Sequence, residues 1–372
     1  MKKIILLTNV LTPYRKELYD YLYEFFKKRE INFTVLCELE RYNKWIYENF
    51  AEDYTKLLKG KNIKYKDIDF PINIEINKVL KNENPDFIIL AGSWSTPTNY
   101  LFNLKKYKVV FWSESNLLGI KRTNKLEEKI WGYFRTKFYQ KINYFLIPGE
   151  RAKEAVLEWR NLKEKPIFIN FPNTIEEIPY EKIQKENYTN KEKIFLIPAR
   201  LVKVKGIEEF VENIKDIIKD KNFKILIAGE GELKNSIEDK IKKYKLEEKI
   251  ILLGYMNSIR LKEYYLKADF FVLPSLYDSS PLAVIEALYY ELPIIISEQI
   301  GNVPEVLDKN GFAFNPMNKE SLENAFNKVL DWSEEEYLEA KKRSKEIYNI
   351  KFNKEKIVEN LYRNLLKIED KK

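Results

Sequence analysis

Three loops in the second half of this chain carry residues whose types and spacing could act on an anion. The richest is Pro274-Ser275-Leu276-Tyr277-Asp278-Ser279-Ser280-Pro281-Leu282-Ala283-Val284-Ile285-Glu286-Ala287. An apolar strand run ends at Pro274, and Ser280 before Pro281 is a capping residue followed by a first-turn proline, so a helix is expected to open there. The preceding loop would expose backbone N–H groups at a positive helix end. Asp278 lies just outside the helix and Glu286 in its second turn, which sets a carboxylate on either side of one small site. In the second loop, Pro198-Ala199-Arg200-Leu201-Val202-Lys203-Val204-Lys205-Gly206, two cations (Arg200 and Lys205) stand beside a helix entrance at Gly206. That arrangement suits a diphosphate, with charge-assisted hydrogen bonds each worth about 1.5–3 kcal/mol. The third, Ala228-Gly229-Glu230-Gly231-Glu232-Leu233, allows close backbone approach but is neither a GxGxxG fingerprint nor a P-loop. Taken singly, a capped helix with a solvent-facing glutamate and a solvated basic loop would read the same way.

Other chemistry is excluded by composition. The chain has no histidine and one cysteine, Cys37, so it has no Ser-His-Asp or Cys-His triad, no Cys/His zinc site and no intrachain disulfide.

The elements that position these loops alternate between strand and helix. In the first half, Lys3–Thr8 reads as a buried strand, Thr12 as an N-cap with Pro13 at the first helical position, and Phe33–Cys37 as the next strand. Further strands are expected at 87–90, 109–112 and 144–147. In the second half they are expected at 194–197, 224–228, 250–253, 270–273 and 293–296, with one helical face carrying Ile207, Phe210, Val211, Ile214, Ile217 and Ile218. Strict alternation means parallel sheets covered by helices on both faces, an α/β class. With 372 residues and roughly 150 per domain, two domains are expected. The boundaries are placed at 1–172, 173–350 and a C-terminal helix over 351–372, with Ile169–Thr174 as the linker. Ligands would bind at the carboxyl ends of the strands, and so in a cleft between the domains.

In order and spacing these motifs resemble the family-4 retaining glycosyltransferases of the GT-B fold, the group 1 glycosyl transferases. The resemblance runs from Pro172-Asn173 through Arg200…Lys205-Gly206, Gly229-Glu230-Gly231 and Asp278…Glu286-Ala287 to Gly301-Asn302-Val303-Pro304-Glu305 and Asn310-Gly311. It implies two Rossmann-like domains facing across a cleft, the first binding an acceptor and the second a nucleotide-sugar donor, with the last helix returning to the first domain. It further implies that Arg200 and Lys205 hold the donor diphosphate and stabilise it as a leaving group, and that Glu286 binds the ribose hydroxyls. Gly206, Ser279, Ser280, Pro281 and Leu282 would contact sugar and phosphate, while Gly229, Glu230, Tyr255 and Met256 would lie near the base. Asp278 stands where the family has a glutamate against the transferred sugar, one methylene shorter. The family often places a histidine in the first domain near the reacting sugar. Glu114 is the candidate there, and Thr12-Pro13-Tyr14-Arg15 puts Tyr14 and Arg15 on the acceptor side.

The reaction implied is transfer of a sugar, with retention, from a nucleotide-diphosphate sugar to a hydroxyl of a glycan or lipid-linked glycan, as in surface polysaccharide synthesis. A GT-B-fold nucleotide-sugar epimerase and a non-catalytic nucleotide- or glycan-binding module stay open as alternatives. No metal or other cofactor is expected; the triplet Asp67-Ile68-Asp69 is read as the end of a strand before Phe70-Pro71.

Charge separates the halves: residues 1–172 hold 31 Lys and Arg against 21 Asp and Glu, whereas residues 173–372 hold 34 against 36. Within the basic half, residues 121–141 carry seven cations and two anions interleaved with Trp131, Phe134 and Phe138. Such a segment either lies on an anionic membrane surface or packs its aromatics into its own core. Nucleic acid is not an expected partner, since no binding motif for it is present. The apolar start stops at Thr8-Asn9 without a small-residue cleavage site, and no run reaches the roughly 18 apolar residues of a membrane span. The expected location is cytoplasmic, with peripheral attachment to the inner face of the cell membrane left open.

Overall fold

The apolar run Lys3–Thr8 forms the first strand (β1) and lies inside a seven-stranded sheet. The computed structural model describes residues 1–39, 41–42, 45–46, 53–65, 68–118, 125–161, 165–178 and 192–370. The other strands of this sheet are β2 (Asn32–Cys37), β3 (Thr55–Leu57), β4 (Phe87–Leu90), β5 (Lys108–Trp112), β6 (Tyr144–Ile147) and β7 (Ile167–Asn170). They pair in parallel in the order β7-β6-β5-β4-β1-β2-β3. Side chains of a strand alternate between faces, so Ile4 and Leu6 enter one buried cluster while Ile5 and Leu7 enter another. Both faces are covered, which is why these strands read as continuous apolar runs.

A second, six-stranded parallel sheet comprises β8 (Lys193–Pro198), β9 (Phe223–Ala228), β10 (Ile250–Gly254), β11 (Phe270–Leu273), β12 (Ile294–Ser297) and β13 (Gly311–Phe314), in the order β10-β9-β8-β11-β12-β13. Phe195 and Ile197 pack on one face of β8, Ile194 and Leu196 on the other. Contacts divide the chain into two units: Met1–Pro148 with Ala152–Pro172 and Glu355–Lys372, and Gly149–Arg151 with Asn173–Lys354. Each sheet builds outward in one direction and then resumes on the other side of its first strand. Its chain reversal therefore falls between β1 and β4 in one unit and between β8 and β11 in the other. The connections leave in opposite directions there, opening a crevice at the strands' carboxyl ends.

The last helix, Lys354–Glu369, belongs to the first unit from Glu355 onward. Its stripe of Ile357, Leu361, Leu365 and Ile368 is buried in the same cluster as Ile4 and Leu6, and Tyr362 meets Phe25 edge-on. Asn360 Nδ2 donates to the Asn170 carbonyl at 3.0 Å, and the Met1 amine pairs with Glu369. Among the described residues no helix is long and apolar enough to cross a membrane.

Four local expectations change. Ile169 and Asn170 are not linker but the end of edge strand β7, where Ile169 is buried. The helical face from Ile207 to Ile218 is split into Ile207–Ile214 and Ile217–Asp220, which keep Ile214 and Ile218 in one cluster. Asp67 lies outside the described residues, and Ile68-Asp69 open the strand Ile68–Ile72 rather than closing one. That strand pairs antiparallel with Lys61–Tyr65 in a two-stranded ribbon, where both strands are edges and Pro71 can be accommodated. The fourth change, at Ser280–Pro281, belongs to the site below.

Just past β2, Glu38 is 4% exposed and accepts from Asn73 Nδ2 at 3.3 Å. Burial pushes its carboxyl up from 4.5 to about 7, against hydrogen bonds from Thr98 and Asn73 that lower it. The folded chain therefore holds a proton that the unfolded chain releases at lower pH, so stability falls as pH rises from about 4.5 to about 7. Glu38→Gln is expected to remove this slope, raising stability above neutral pH by on the order of 3 kcal/mol and leaving it nearly unchanged in acid. Urea unfolding at both pH values measures the difference, and equal gains at the two would reject the assignment.

Candidate active site

At the reversal point of the second sheet, the loop after β8 and the loop after β11 are tied together. Leu276 N–H donates to the Val204 carbonyl at 2.9 Å, and Lys205 Nζ forms an ion pair with the Asp278 carboxylate. Both partners are 17% exposed at the side chain. Asp278 is also pinned by its backbone, since its carbonyl accepts from Gly301 N–H at 2.7 Å. Gly206 caps the helix Ile207–Ile214 with φ +66°, and a Cβ there would lie 2.4 Å from the Pro274 carbonyl oxygen. Glycine is thus required both for the left-handed turn and for the close approach of the two loops. Arg200, at the carboxyl end of β8, is exposed and has no ion-pair partner among the described residues.

The third loop joins the same cluster. Leu201 N–H donates to the Glu230 carbonyl at 2.9 Å, and Leu233 N–H to the Leu201 carbonyl at 3.0 Å. A Cβ on Gly229 would fall 1.9 Å from the Ala199 carbonyl oxygen, so the two loops meet backbone to backbone. The Glu230 side chain turns instead to Lys234, 2.9 Å away. Gly229 N–H donates to the Gly254 carbonyl at 2.9 Å, which brings the following Tyr255 and Met256 alongside. Tyr255 is 74% exposed, whereas Met256 packs against an apolar cluster.

The helix bearing Glu286 runs Leu282–Tyr289, one residue later than expected. Pro281 is its N-cap in an extended conformation (φ −66°, ψ 125°), and Ser280 is not the capping residue. Ser280 is buried and its carbonyl accepts from Asn173 Nδ2 at 3.4 Å, a tertiary contact that no capping rule contains. Ser279 and Leu282 are half-buried beside it. Glu286 keeps part of its side chain accessible, but desolvation raises its pKa despite hydrogen bonding to Tyr265 and the nearby Lys262 ammonium. Tyr265 Oη lies 2.9 Å from Glu286 Oε2 and 3.1 Å from the Ala283 carbonyl. Lys262, 2% exposed, reaches Glu176 Oε2 at 3.0 Å. These supports were not legible in the sequence: Tyr265 lies on a buried helix face and reads as a core aromatic. The only available signal was a lysine, Lys262, one helical turn before it.

The first sheet has its own crevice at the reversal between β1 and β4. A cavity of about 350 Å³ is lined by Thr8, Asn9, Gly92, Trp94, Trp112 and Glu114, among others. Arg15, in the first turn of Pro13–Lys27, lays its guanidinium 3.8 Å from the Trp112 ring centroid and pairs with Glu114. The structure thus brings Arg15 and Glu114 to one cavity wall. Tyr14 is in the same helical turn, with its side chain outside the described part. The Trp112 indole N–H and Thr12 hydroxyl, also at this cavity, have no hydrogen-bond partner among the described residues. Two parallel sheets, each with polar residues at its reversal point, define an α/β protein of the GT-B fold.

The comparisons agree. Over nearly its whole length the chain superposes on a solved Anabaena protein, HepE, in complex with UDP, with a TM-score of 0.73, 13% identity and coverage of 99% of this chain and 100% of that one. Residues 180–347 match the family described as glycosyl transferases group 1. An uncharacterized glycosyltransferase of Methanocaldococcus jannaschii is 32% identical over 150 residues, which is 40% of this chain and 38% of that protein. The UDP-Gal:alpha-D-GlcNAc-diphosphoundecaprenol alpha-1,3-galactosyltransferase of Escherichia coli is 36% identical over 146 residues, 37% of this chain and 36% of that protein. The matches thus span well under half the length of these two relatives.

Proposed function

We propose that the chain transfers a sugar, with retention, from a nucleotide-diphosphate sugar to a hydroxyl of a glycan or lipid-linked glycan. The observation that carries this reading is the Lys205–Asp278 pair at the reversal point of the second sheet, beside Arg200 and the Gly206 helix entrance. Lys205 and Arg200 would hold the diphosphate and Glu286 the ribose. Asp278 and the Ser279–Leu282 segment would meet the transferred sugar, with Gly229, Glu230, Tyr255 and Met256 near the base. Glu114, Arg15 and Tyr14 would face the acceptor. Relatives support the substrate classes: one carries UDP-Gal and a diphosphoundecaprenol-linked sugar in its name, and a solved neighbour is in complex with UDP. A lipid-linked acceptor places the reaction at the cytoplasmic face of a membrane, with the chain attached peripherally.

In this reading the C1–O bond to the diphosphate breaks with its electron pair passing to the phosphate oxygen. The acceptor oxygen bonds C1 from the same side, and its proton goes to that leaving oxygen. Negative charge develops on the diphosphate, where cations and a helix N-terminus stabilise it. Neither a histidine base nor a covalent enzyme intermediate is required.

Because Arg200, Lys205 and the helix end supply that charge, activity is expected to persist in excess chelator; its abolition by chelator and recovery with a divalent ion would contradict this. The central test is incubation with nucleotide sugars, after a thermal-shift screen against nucleoside diphosphates. Transfer should give a product with the donor's anomeric configuration by NMR. Inversion, or a glycosyl adduct on Asp278 or Glu114, would overturn the mechanism, and an absence of binding or turnover would overturn the function.

A further inference from the structure

The helix Lys125–Tyr139 turns an apolar face outward. Ile130, Tyr133 and Phe134 are 53%, 61% and 49% exposed, and the neighbouring Trp131 is 41% exposed. Four of the sixteen exposed large apolar side chains among the described residues therefore fall within five consecutive positions. At about 100° per residue, Ile130, Tyr133, Phe134 and Lys137 share one arc roughly 100° wide. Tyr139 lies on the opposite side and Phe138 about 90° round from the centre of the arc, both fully buried in the first unit's core. The helix is anchored through these two rings, while Ile130, Tyr133 and Phe134 stay exposed.

Exposed Lys129, Lys137 and Lys141 surround this face, with Lys137 Nζ 5.6 Å from the Tyr133 ring centroid. Lysines are depleted at the centres of protein–protein interfaces, whereas aromatic rings flanked by lysines suit the boundary between acyl chains and anionic head groups. The face is also joined to the cavity at the reversal point of the first sheet. Trp131 packs edge-on against Trp94 with centroids 6.1 Å apart, and Trp94 lines that cavity.

We infer that the Ile130–Tyr133–Phe134 face, with Lys129, Lys137 and Lys141, seats on an anionic phospholipid leaflet and so holds the Trp94 wall of the cavity at head-group level. The surface itself is independent of the activity; only its link to a lipid-linked acceptor rests on the transferase reading. Docking would hand such an acceptor to the cavity without its leaving the bilayer.

The test is co-sedimentation of the full chain with phosphatidylcholine vesicles, with and without phosphatidylglycerol. The chain should pellet roughly tenfold more with the anionic vesicles and be released by salt. The variant Ile130→Ser/Tyr133→Ser/Phe134→Ser and the variant Lys129→Glu/Lys137→Glu/Lys141→Glu should each lose this binding while keeping the wild-type thermal shift with UDP. Binding by both variants equal to wild type, or binding indifferent to phosphatidylglycerol, would overturn the inference. So would a wild-type dimer, seen by sedimentation equilibrium, that the serine variant dissolves, since the face would then be covered by a second copy. Failure of the transferase reading is separate: vesicle binding would remain while UDP shifts and turnover were absent.

Discussion

Lys205→Ala is expected to lower kcat by about 10²–10³ while changing donor KM much less. Lys205 sits where two loops converge at the reversal point of the second sheet, held there by Asp278 and by Gly206 at the next helix. In the ground state a diphosphate already carries its charge and is met by several partners. The extra charge that arrives as the C1–O bond breaks falls on the leaving oxygen, so a cation aimed there acts mainly on the transition state. Removing the lysine leaves Asp278 unpaired, but that carboxylate is partly exposed and water can solvate it, so the fold should survive. Lys205→Arg should recover part of the rate, because charge is kept and shape is not. Steady-state kinetics with circular dichroism as a folding control decides the matter; an unchanged kcat would remove Lys205 from this role.

Glu286→Ala is the second large effect and differs in kind. A carboxylate accepting hydrogen bonds from ribose hydroxyls contributes to ground state and transition state alike, so its loss should appear in donor KM. At about 1.5–3 kcal/mol for a charge-assisted bond, the expected rise is roughly 10–150-fold with kcat nearly preserved. The pH dependence has a definite sign. Burial raises the Glu286 pKa, so acidification protonates it at a higher pH than an ordinary glutamate, and donor KM should climb as pH falls through that range. Glu286→Gln should flatten the climb. Tyr265→Phe should do something separate: by removing the hydroxyl 2.9 Å from Oε2 it frees the carboxylate to turn, raising KM by a smaller factor. A shift of kcat rather than KM in these variants would count against ribose binding.

Periodicity was enough for the interior strands of both sheets. Runs such as Phe87–Leu90 and Phe270–Leu273 could be read to the residue, because a parallel strand covered on both faces must be apolar throughout and is bounded by polar or proline-containing turns. Edges were harder. The end of strand β7, Ile169-Asn170, reads as linker in the sequence because only one neighbour supports the strand and its run is short. Strand β13 escaped because glycine opens it and its residues are only partly buried.

Residue types and order marked the loops that carry Arg200, Lys205, Asp278 and Glu286 as candidates, since a site proposed to grip an anion calls for cations, small residues and helix starts. Nothing in that order could reveal that Lys205 grips Asp278 across 73 positions, that Tyr265 and Lys262 surround Glu286, or that Arg15 lies on Trp112 while paired with Glu114. Local sequence determines conformation through interactions spanning a few residues, so it encodes strands, helix starts and turns. Which side chains finally touch depends on strand order and on the direction each helix crosses its sheet, and those are set by the packing of the whole unit. The outward face of the Lys125–Tyr139 helix shows the same division. Its aromatic and basic content could be read directly, but only the burial of Phe138 and Tyr139 decided which residues were left facing solvent.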